Sequence, residues 1–341
     1  MIQTRSRQQQ AAPILGILLS TALLAGCGAS SGEGGGDSIE ILLGHHHSPN
    51  GLTDYAANRF AEEVAELTDG EVTVEVIPSG QLGTQEEAAD GVLSGTMDAT
   101  IIPSAQLEPF VPEMSITTLP YVYEGWGHVD EYFTNGELGE ELEALTEDEG
   151  ARIVGWSPVG ARHLFFRDAD ISSVEDMAGL MFRSPSPRMY IETFDAFGMG
   201  TTEITWSEAY SALQTGVADG LDSPLQAAMD ESFEEVTSGV VLTEHMWGPM
   251  NIMVTNSVFE SLSSEHQEAL TQAGLTASAD GAQRAQEEDE DAIEELEAAG
   301  VTVHEFSDSD REEMERRTEP IVLEWGEAND AEDLVDIVIN Q

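Results

Sequence analysis

Apolar residues recur along this chain with two periods, and the two take turns. The run 39–44 is almost continuously apolar and predicts a buried first strand, which leads into the turn-rich loop 45–51. Over 53–67 the residues Tyr55, Phe60, Val64 and Leu67 fall at helical spacing, with Thr53 as the expected N-cap and Gly70 as the stop. The stretch 72–77 alternates and is rich in valine, so it reads as a strand. A helix over 84–94 and a strand over 99–102 follow. This β-α-β-α-β order predicts an α/β fold with a mostly parallel sheet and helices on its faces.

The alternation continues. Helices are expected over 133–149, 188–197 and 207–216, the last capped by Ser207, and strands over 152–156, 163–166 and 220–224. Ser173 and Asp176 stand at capping-box spacing around a short helix. A strand over 251–255 precedes a long acidic helix from 263 to 299, whose segment 287–297 reads as a solvated face. A strand over 301–304 and a helix over 309–326 close the pattern. No internal repeat is present.

The first 37 residues break this rhythm. Arg5 and Arg7 precede a short apolar run, 14–25, too short for the roughly 20 residues a membrane-spanning helix needs. The run ends in Leu24-Ala25-Gly26-Cys27, which resembles the lipobox of bacterial lipoproteins. Residues 1–26 therefore read as a leader and Cys27, the only cysteine, as a lipidated anchor on the outer face of the cell membrane. The glycine- and serine-rich segment 27–37 reads as a flexible tether.

Composition sharpens the picture. The chain has 12 cationic residues, all of them arginine, against 66 acidic ones, a formal charge of −54. Removing 1–26 takes away Arg5 and Arg7 and no acid, which moves −54 to −56. Such a charge repels phosphate and excludes nucleic acid as a partner. At 40% hydrophobic residues the chain folds, and its lysine-free acidic surface fits a halophilic setting where salt screens self-repulsion.

Cations this scarce attract notice wherever they sit near turns. Arg183 lies in Gly179-Leu-Met-Phe-Arg183-Ser-Pro-Ser-Pro187, after a short strand-like stretch. A guanidinium holds a carboxylate through two parallel hydrogen bonds, so Arg183 is the leading candidate to grip an acidic ligand; the competing role is an ion pair within the protein. His45, His46 and His47 are consecutive in a strand-like loop and point alternately, which does not suit a single metal, so no metal site and no cofactor are expected. Trp206, at the mouth of a predicted helix, offers a flat apolar wall.

Seven segments, in order, resemble one family. Pro78-Ser-Gly-Gln-Leu-Gly83 is similar to its P-x-G-Q-L-G turn, and Gly95-Thr-Met-Asp98 to its G-x-x-D. Phe110-Val-Pro-Glu113 and Leu119-Pro-Tyr-Val122 resemble F-x-P-E and L-P-F/Y. Gly160-Ala-Arg162-His163 resembles G-x-R-x, and the Arg183 segment resembles G-L-K-I-R-x-P. The run 207–220 is similar to S-E-V-Y-T-A-L-Q-x-G-V-V-D-G. The family is that of the DctP-type solute-binding subunits of TRAP (tripartite ATP-independent periplasmic) transporters.

The resemblance implies an extracytoplasmic binding protein, not an enzyme, that hands a small carboxylate-bearing solute to integral-membrane subunits. It implies a two-lobe, type II periplasmic-binding-protein fold with crossing strands and a long interlobe helix, lobe I being 38–160 plus 249–288 and lobe II 161–248 plus 289–341. Arg183 is implied as the carboxylate ligand, assisted by Arg162. His46, Gln85, Ser104, Trp206 and Ser223 are implied in the cleft, with Trp247 placed there from its position near the crossing. The chain departs from the family's D-G-Q-E-N-P, reading Asp219-Gly-Leu-Asp-Ser-Pro224, so Ser223 replaces an amide. Monocarboxylates, dicarboxylates, sugar acids and zwitterionic compatible solutes all suit one arginine beside an aromatic wall, and the composition leans towards an ectoine-like solute. Rival readings are a binding protein of another importer class, a ligand sensor on the same fold, and a secreted hydrolase, for which no Gly-x-Ser-x-Gly, His-Glu-x-x-His or P-loop is present.

Overall fold

A computed structural model describes residues 38–168 and 171–329; the predicted leader 1–26, the tether 27–37 and the anchor Cys27 lie outside the described residues. In chain order the elements are β1 (Ile39–His45), α1 (Leu52–Leu67), β2 (Val72–Ile77), α2 (Gln85–Ser94), β3 (Ala99–Pro103), α3 (Gly125–Val129), α4 (Glu137–Glu149), β4 (Ala151–Ser157), β5 (Arg162–Phe166), β6 (Met181–Ser184) and α5 (Arg188–Ala196). The second half contributes β7 (Gly200–Glu203), α6 (Trp206–Thr215), β8 (Gly220–Pro224), α7 (Leu225–Asp230), β9 (Gly239–Met246), β10 (Met250–Thr255), α8 (Asn256–Ser261), α9 (Ser264–Ala299), β11 (Thr302–Glu305) and α10 (Asp308–Ala328).

The strands form two sheets, ordered β2-β1-β3-β10-β4 and β11-β9-β5-β8-β6-β7. Both are mixed, where the sequence pattern predicts mostly parallel pairing. Pairing is parallel where the chain runs strand–helix–strand, as in β1 with β2 and β3, and β6 with β7 and β8. It is antiparallel where a strand arrives from the other sheet: β10 against β3 and β4, and β5 against β8 and β9. The links 158–161 and 247–249 carry the chain from one sheet to the other, and β11, which returns through α9, pairs parallel with β9.

One large apolar cluster runs across both sheets, joining Ile102 and Trp156 to Leu164 and Phe182; each sheet has a further cluster of its own, and α9 serves both of those. Leu270, Ala273 and Ala277 pack with Ile41, Phe60 and Ile252 of the first core. Further along, Ala292 and Leu296 pack with Phe165, Leu221 and Val240 of the second. At 1.5 Å per residue its 36 residues reach about 54 Å, enough to span the two. Glycine permits the close approach. A Cβ on Gly274 would lie 2.0 Å from the Val154 carbonyl oxygen of β4, and one on Gly155 would meet Ser278 Oγ at 2.5 Å.

Several helix starts differ from the sequence expectation; α4 begins at Glu137, four residues later than expected. The N-cap of α1 is Gly51, not Thr53, and it has no side-chain cap of its own. Asp230, at the end of α7, accepts from Leu52 N at 3.0 Å instead, and Glu231 accepts from Ser48 N and Oγ at 2.9 Å. Carboxylates at a helix N-terminus meet the positive end of its dipole. Helix α6 begins one residue earlier than predicted, with Thr205 as N-cap and Trp206 as its first residue. Strand β9 was not legible, and β6 contains Arg183 rather than ending before it.

Gly274→Val should force α9 off β4 and cost about 1–3 kcal/mol, the scale of overpacking a tight contact. Gly127→Ala, where an added Cβ meets nothing within 4 Å, is the control and should be near neutral. Urea unfolding midpoints of the two variants check this.

Candidate ligand-binding site

A small internal cavity of about 40 Å³ lies where strand ends of both sheets meet. From the first sheet come His47, just past β1, Gln85, the first residue of α2, and Pro103, Ala105 and Gln106 at the end of β3. From the second come Arg162 at the start of β5, Arg183 in β6, Pro224 at the end of β8, Tyr190 on α5 and Trp206 at the start of α6. Ligands in open α/β folds gather at the carboxyl ends of strands and at helix N-termini for the same backbone reasons.

Arg183 is 2% exposed. Its Nε donates to the Ile204 carbonyl at 2.8 Å, and its guanidinium carbon sits 5.4 Å from the Trp206 ring centre. Ten arginines lie among the described residues. Nine pair with a carboxylate within 4.0 Å, and Arg183 is the exception. Burial draws its pKa down to about 10, with Asp222 opposing that fall and Arg162 adding to it, so it remains a cation at neutral pH.

Arg162 takes the competing role. Its Nε pairs with Asp222 Oδ2, its Nη2 donates to the Asp222 carbonyl at 2.9 Å, and it lies 5.0 Å from the Tyr190 ring centre. Asp222 is fully buried in β8, next to β5. Burial raises its pKa, but Arg162 and His245 more than offset this and leave the carboxyl well below its ordinary range. Arg162's pKa is raised, the Asp222 carboxylate outweighing burial.

The opposite wall is polar and uncharged. His47 stacks on Trp206 at 5.3 Å, and its Nδ1 bonds the Thr53 hydroxyl at 2.8 Å. The Gln85 amide donates to His46 Nε2, and Gln85 Oε1 accepts from Gln106 Nε2 at 3.0 Å. Ser186, beyond β6, donates to Gln106 Oε1 at 3.4 Å, so this chain of side chains bridges the sheets.

Of the predicted site residues, the cavity brings together Arg183, Arg162, Trp206 and Gln85. Four others sit elsewhere. His46 lies behind His47, its ring tied to Gln85, because successive residues face opposite ways. Ser223 is fully buried within β8 with its Oγ unpartnered among the described residues; the strand turns Asp222, not Ser223, towards Arg162. Ser104 spends both its backbone N–H and its hydroxyl on the Pro249 carbonyl, at 3.0 and 2.9 Å. Trp247 packs edge-on against Trp126 at 5.5 Å and lines an outer trough of about 690 Å³ against α10. That trough holds Arg311 and Arg316, both already paired with neighbouring glutamates and well exposed, so the inner cavity is the better carboxylate site. Sequence reasoning missed His47, Tyr190, Gln106 and Asp222. A lone acid in the apolar strand 220–224 was a readable signal for Asp222, since a buried charge requires a partner.

The buried histidines make stability depend on pH. His163 Nδ1 accepts from the backbone N–H groups of Thr243 and Glu244 at 3.2 and 3.4 Å, which requires a neutral ring. Burial, with a repulsive contribution from neighbouring His245, draws its pKa down to about 3; His47 is drawn to about 3 by burial and by His45. Below pH about 6.5 the unfolded chain binds protons that the folded chain refuses, so stability falls as pH falls. Each group adds up to about 1.4 kcal/mol per pH unit. Urea titrations between pH 7 and 5 should show the fall, and His163→Gln, whose amide oxygen keeps an acceptor in place, should flatten it.

The family described as bacterial extracellular solute-binding protein, family 7 (DctP), matches residues 43–328. A solute-binding protein of Roseobacter denitrificans is 32% identical over 240 residues, 70% of this chain and 73% of that one. Its crystal structure, a TRAP periplasmic solute-binding protein with bound L-galactonate, superposes with a TM-score of 0.80, covering 88% of this chain and 97% of that one at 29% identity. A TRAP periplasmic solute-binding protein from Sulfitobacter with bound β-D-galacturonate gives a TM-score of 0.84 over 89% of this chain and 100% of that one, at 25% identity. The 2,3-diketo-L-gulonate-binding periplasmic protein YiaO of Escherichia coli is 26% identical over 80% of this chain and 82% of its own length. This chain therefore belongs to the DctP family and is an extracytoplasmic solute-binding protein of the TRAP type.

Proposed function

We propose that this protein captures a sugar acid, with Arg183 holding the carboxylate and the uncharged wall of His47, Gln85 and Gln106 reading the hydroxyls. The observation that carries this reading is that Arg183 is buried, faces the cavity and has no carboxylate partner among the described residues. A guanidinium in that position is a vacant half of an ion pair. Among the described residues no aspartate or glutamate lines the cavity, so a zwitterion's cation would meet aromatic faces and no counter-charge there, which makes the ectoine-like option the weaker one. Amide and imidazole groups suit hydroxyls, which both donate and accept. The Roseobacter, Sulfitobacter and E. coli relatives are each named with a sugar acid, in line with this chemistry.

The cavity of about 40 Å³ is far below the roughly 300–1,000 Å³ of sites that enclose larger ligands, so entry requires the two halves to part. The lobes divide at 158–161, at 247–249 and within α9, where the chain passes between the sheets. Closure excludes water and strengthens the arginine–carboxylate pair. The closed form then docks on the integral-membrane TRAP subunits. A lipid on Cys27 holds the protein at the outer membrane face, and the acidic surface suits concentrated salt.

Thermal unfolding with D-galacturonate or L-galactonate should show stabilisation of about 2.7 kcal/mol at 100 times Kd, and neutral D-galactose none. Arg183→Ala should abolish the shift, and Arg183→Lys should restore little of it, since an ammonium lacks the planar fork. A shift that survives Arg183→Ala would sink the assignment. Cys27→Ser should move the protein from the membrane fraction to the soluble one after expression in a bacterial host, as read by fractionation and immunoblot.

A further inference from the structure

We infer that Asp222 sets the net charge of the binding site at one positive unit and so restricts this protein to solutes that carry a single carboxylate. This rests on the sugar-acid reading above and specifies which sugar acids qualify. Three charged side chains meet at the second-sheet wall: Arg162, Arg183 and Asp222. They come from three neighbouring strands, β5, β6 and β8. Arg162 directs both Nε and Nη2 at Asp222, so those two charges cancel. Arg183 is left over.

The surrounding histidines add nothing to the sum. His163 is held neutral by the backbone donors at its Nδ1. His245 bonds the Thr243 hydroxyl through Nδ1, and its Nε2 is 3.7 Å from Asp222; burial outweighs that carboxylate and lowers its pKa. His46 and His47 are lowered by burial and by their neighbouring rings and arginines. Glu86, half-buried beside Ser186, is the weakest of the charges acting on Arg183.

A monoanion therefore brings the closed site to neutrality. A dianion would bury one negative charge with no partner, which is far more costly than any hydrogen bond recovers. Asp222 lies behind the cavity lining and keeps Arg162 occupied, so that arginine is not free to take the second carboxylate. A site built for a dicarboxylate would leave both arginines open.

Galacturonate, galactonate and galactarate share one carbon skeleton and differ in how many ends are carboxylates, which makes them matched probes. Calorimetry at pH 7.5, repeated in buffers of different ionisation enthalpy, gives both affinity and protons taken up. The monoacids should bind with no net proton uptake. Galactarate should bind about 100-fold more weakly or worse, and should take up about one proton when it does. Asp222→Asn should shift the galactarate-to-galacturonate affinity ratio by about tenfold or more towards the diacid. If that variant does not fold, the proton count on the wild-type protein decides. Equal affinity for mono- and diacid without proton uptake overturns the charge rule and leaves the sugar-acid reading intact. Failure of all three acids to bind overturns the sugar-acid reading, and the charge rule with it.

Discussion

The rest of this structure is arranged around one buried guanidinium that the protein declines to neutralise. In a chain with 66 acidic residues and 12 arginines, every other arginine among the described residues has found a carboxylate. Leaving Arg183 alone inside β6 is costly, because a desolvated charge without a counter-ion destabilises the fold. The neighbouring strands make it tolerable. Asp222 is close enough to act on Arg183 electrostatically while its hydrogen bonds go to Arg162, and Trp206 offers the face of its ring.

The two-sheet architecture follows from the need to present such a group without exposing it. Neither sheet alone covers the cavity: one contributes arginines and aromatic rings, the other imidazole and amides. Short passages at 158–161 and 247–249 and the length of α9 hold the two walls in register. Glycines at 155 and 274 let α9 lie against the backbone of β4, so the connecting helix is also a packed part of the first core.

Much of the fold was legible because apolar spacing survives even in an acidic chain. The first three strands and first two helices, the long helix and the capping box at Ser173 came through plainly. Strand β9 did not, since its sequence Gly-Val-Val-Leu-Thr-Glu-His-Met loses its alternation where both faces become buried. At the site, Arg183 stood out by scarcity and its run of prolines. His47 was passed over for His46 because the facing of a residue beyond a strand end depends on the turn that follows, here fixed by the Thr53 contact. Ser104 was placed in the cleft by the family resemblance and Trp247 by proximity to a crossing, and tertiary partners (the Pro249 carbonyl and Trp126) hold them instead. Arg162 reached the cavity wall, but its hydrogen bonds belong to Asp222, a pairing no local pattern announces.

The start of α1 carries a further consequence. Its opening amide finds an acceptor only on Asp230, across the mouth from its own sheet, and a side chain on Gly51 would strike that carboxylate at 2.4 Å. This capping is borrowed between the two halves: parting them exchanges the carboxylate acceptors for water and returns two acids, Asp230 and Glu231, to an already crowded negative exterior. Part of the tendency to stay shut is thus written into the scaffold before any cargo arrives.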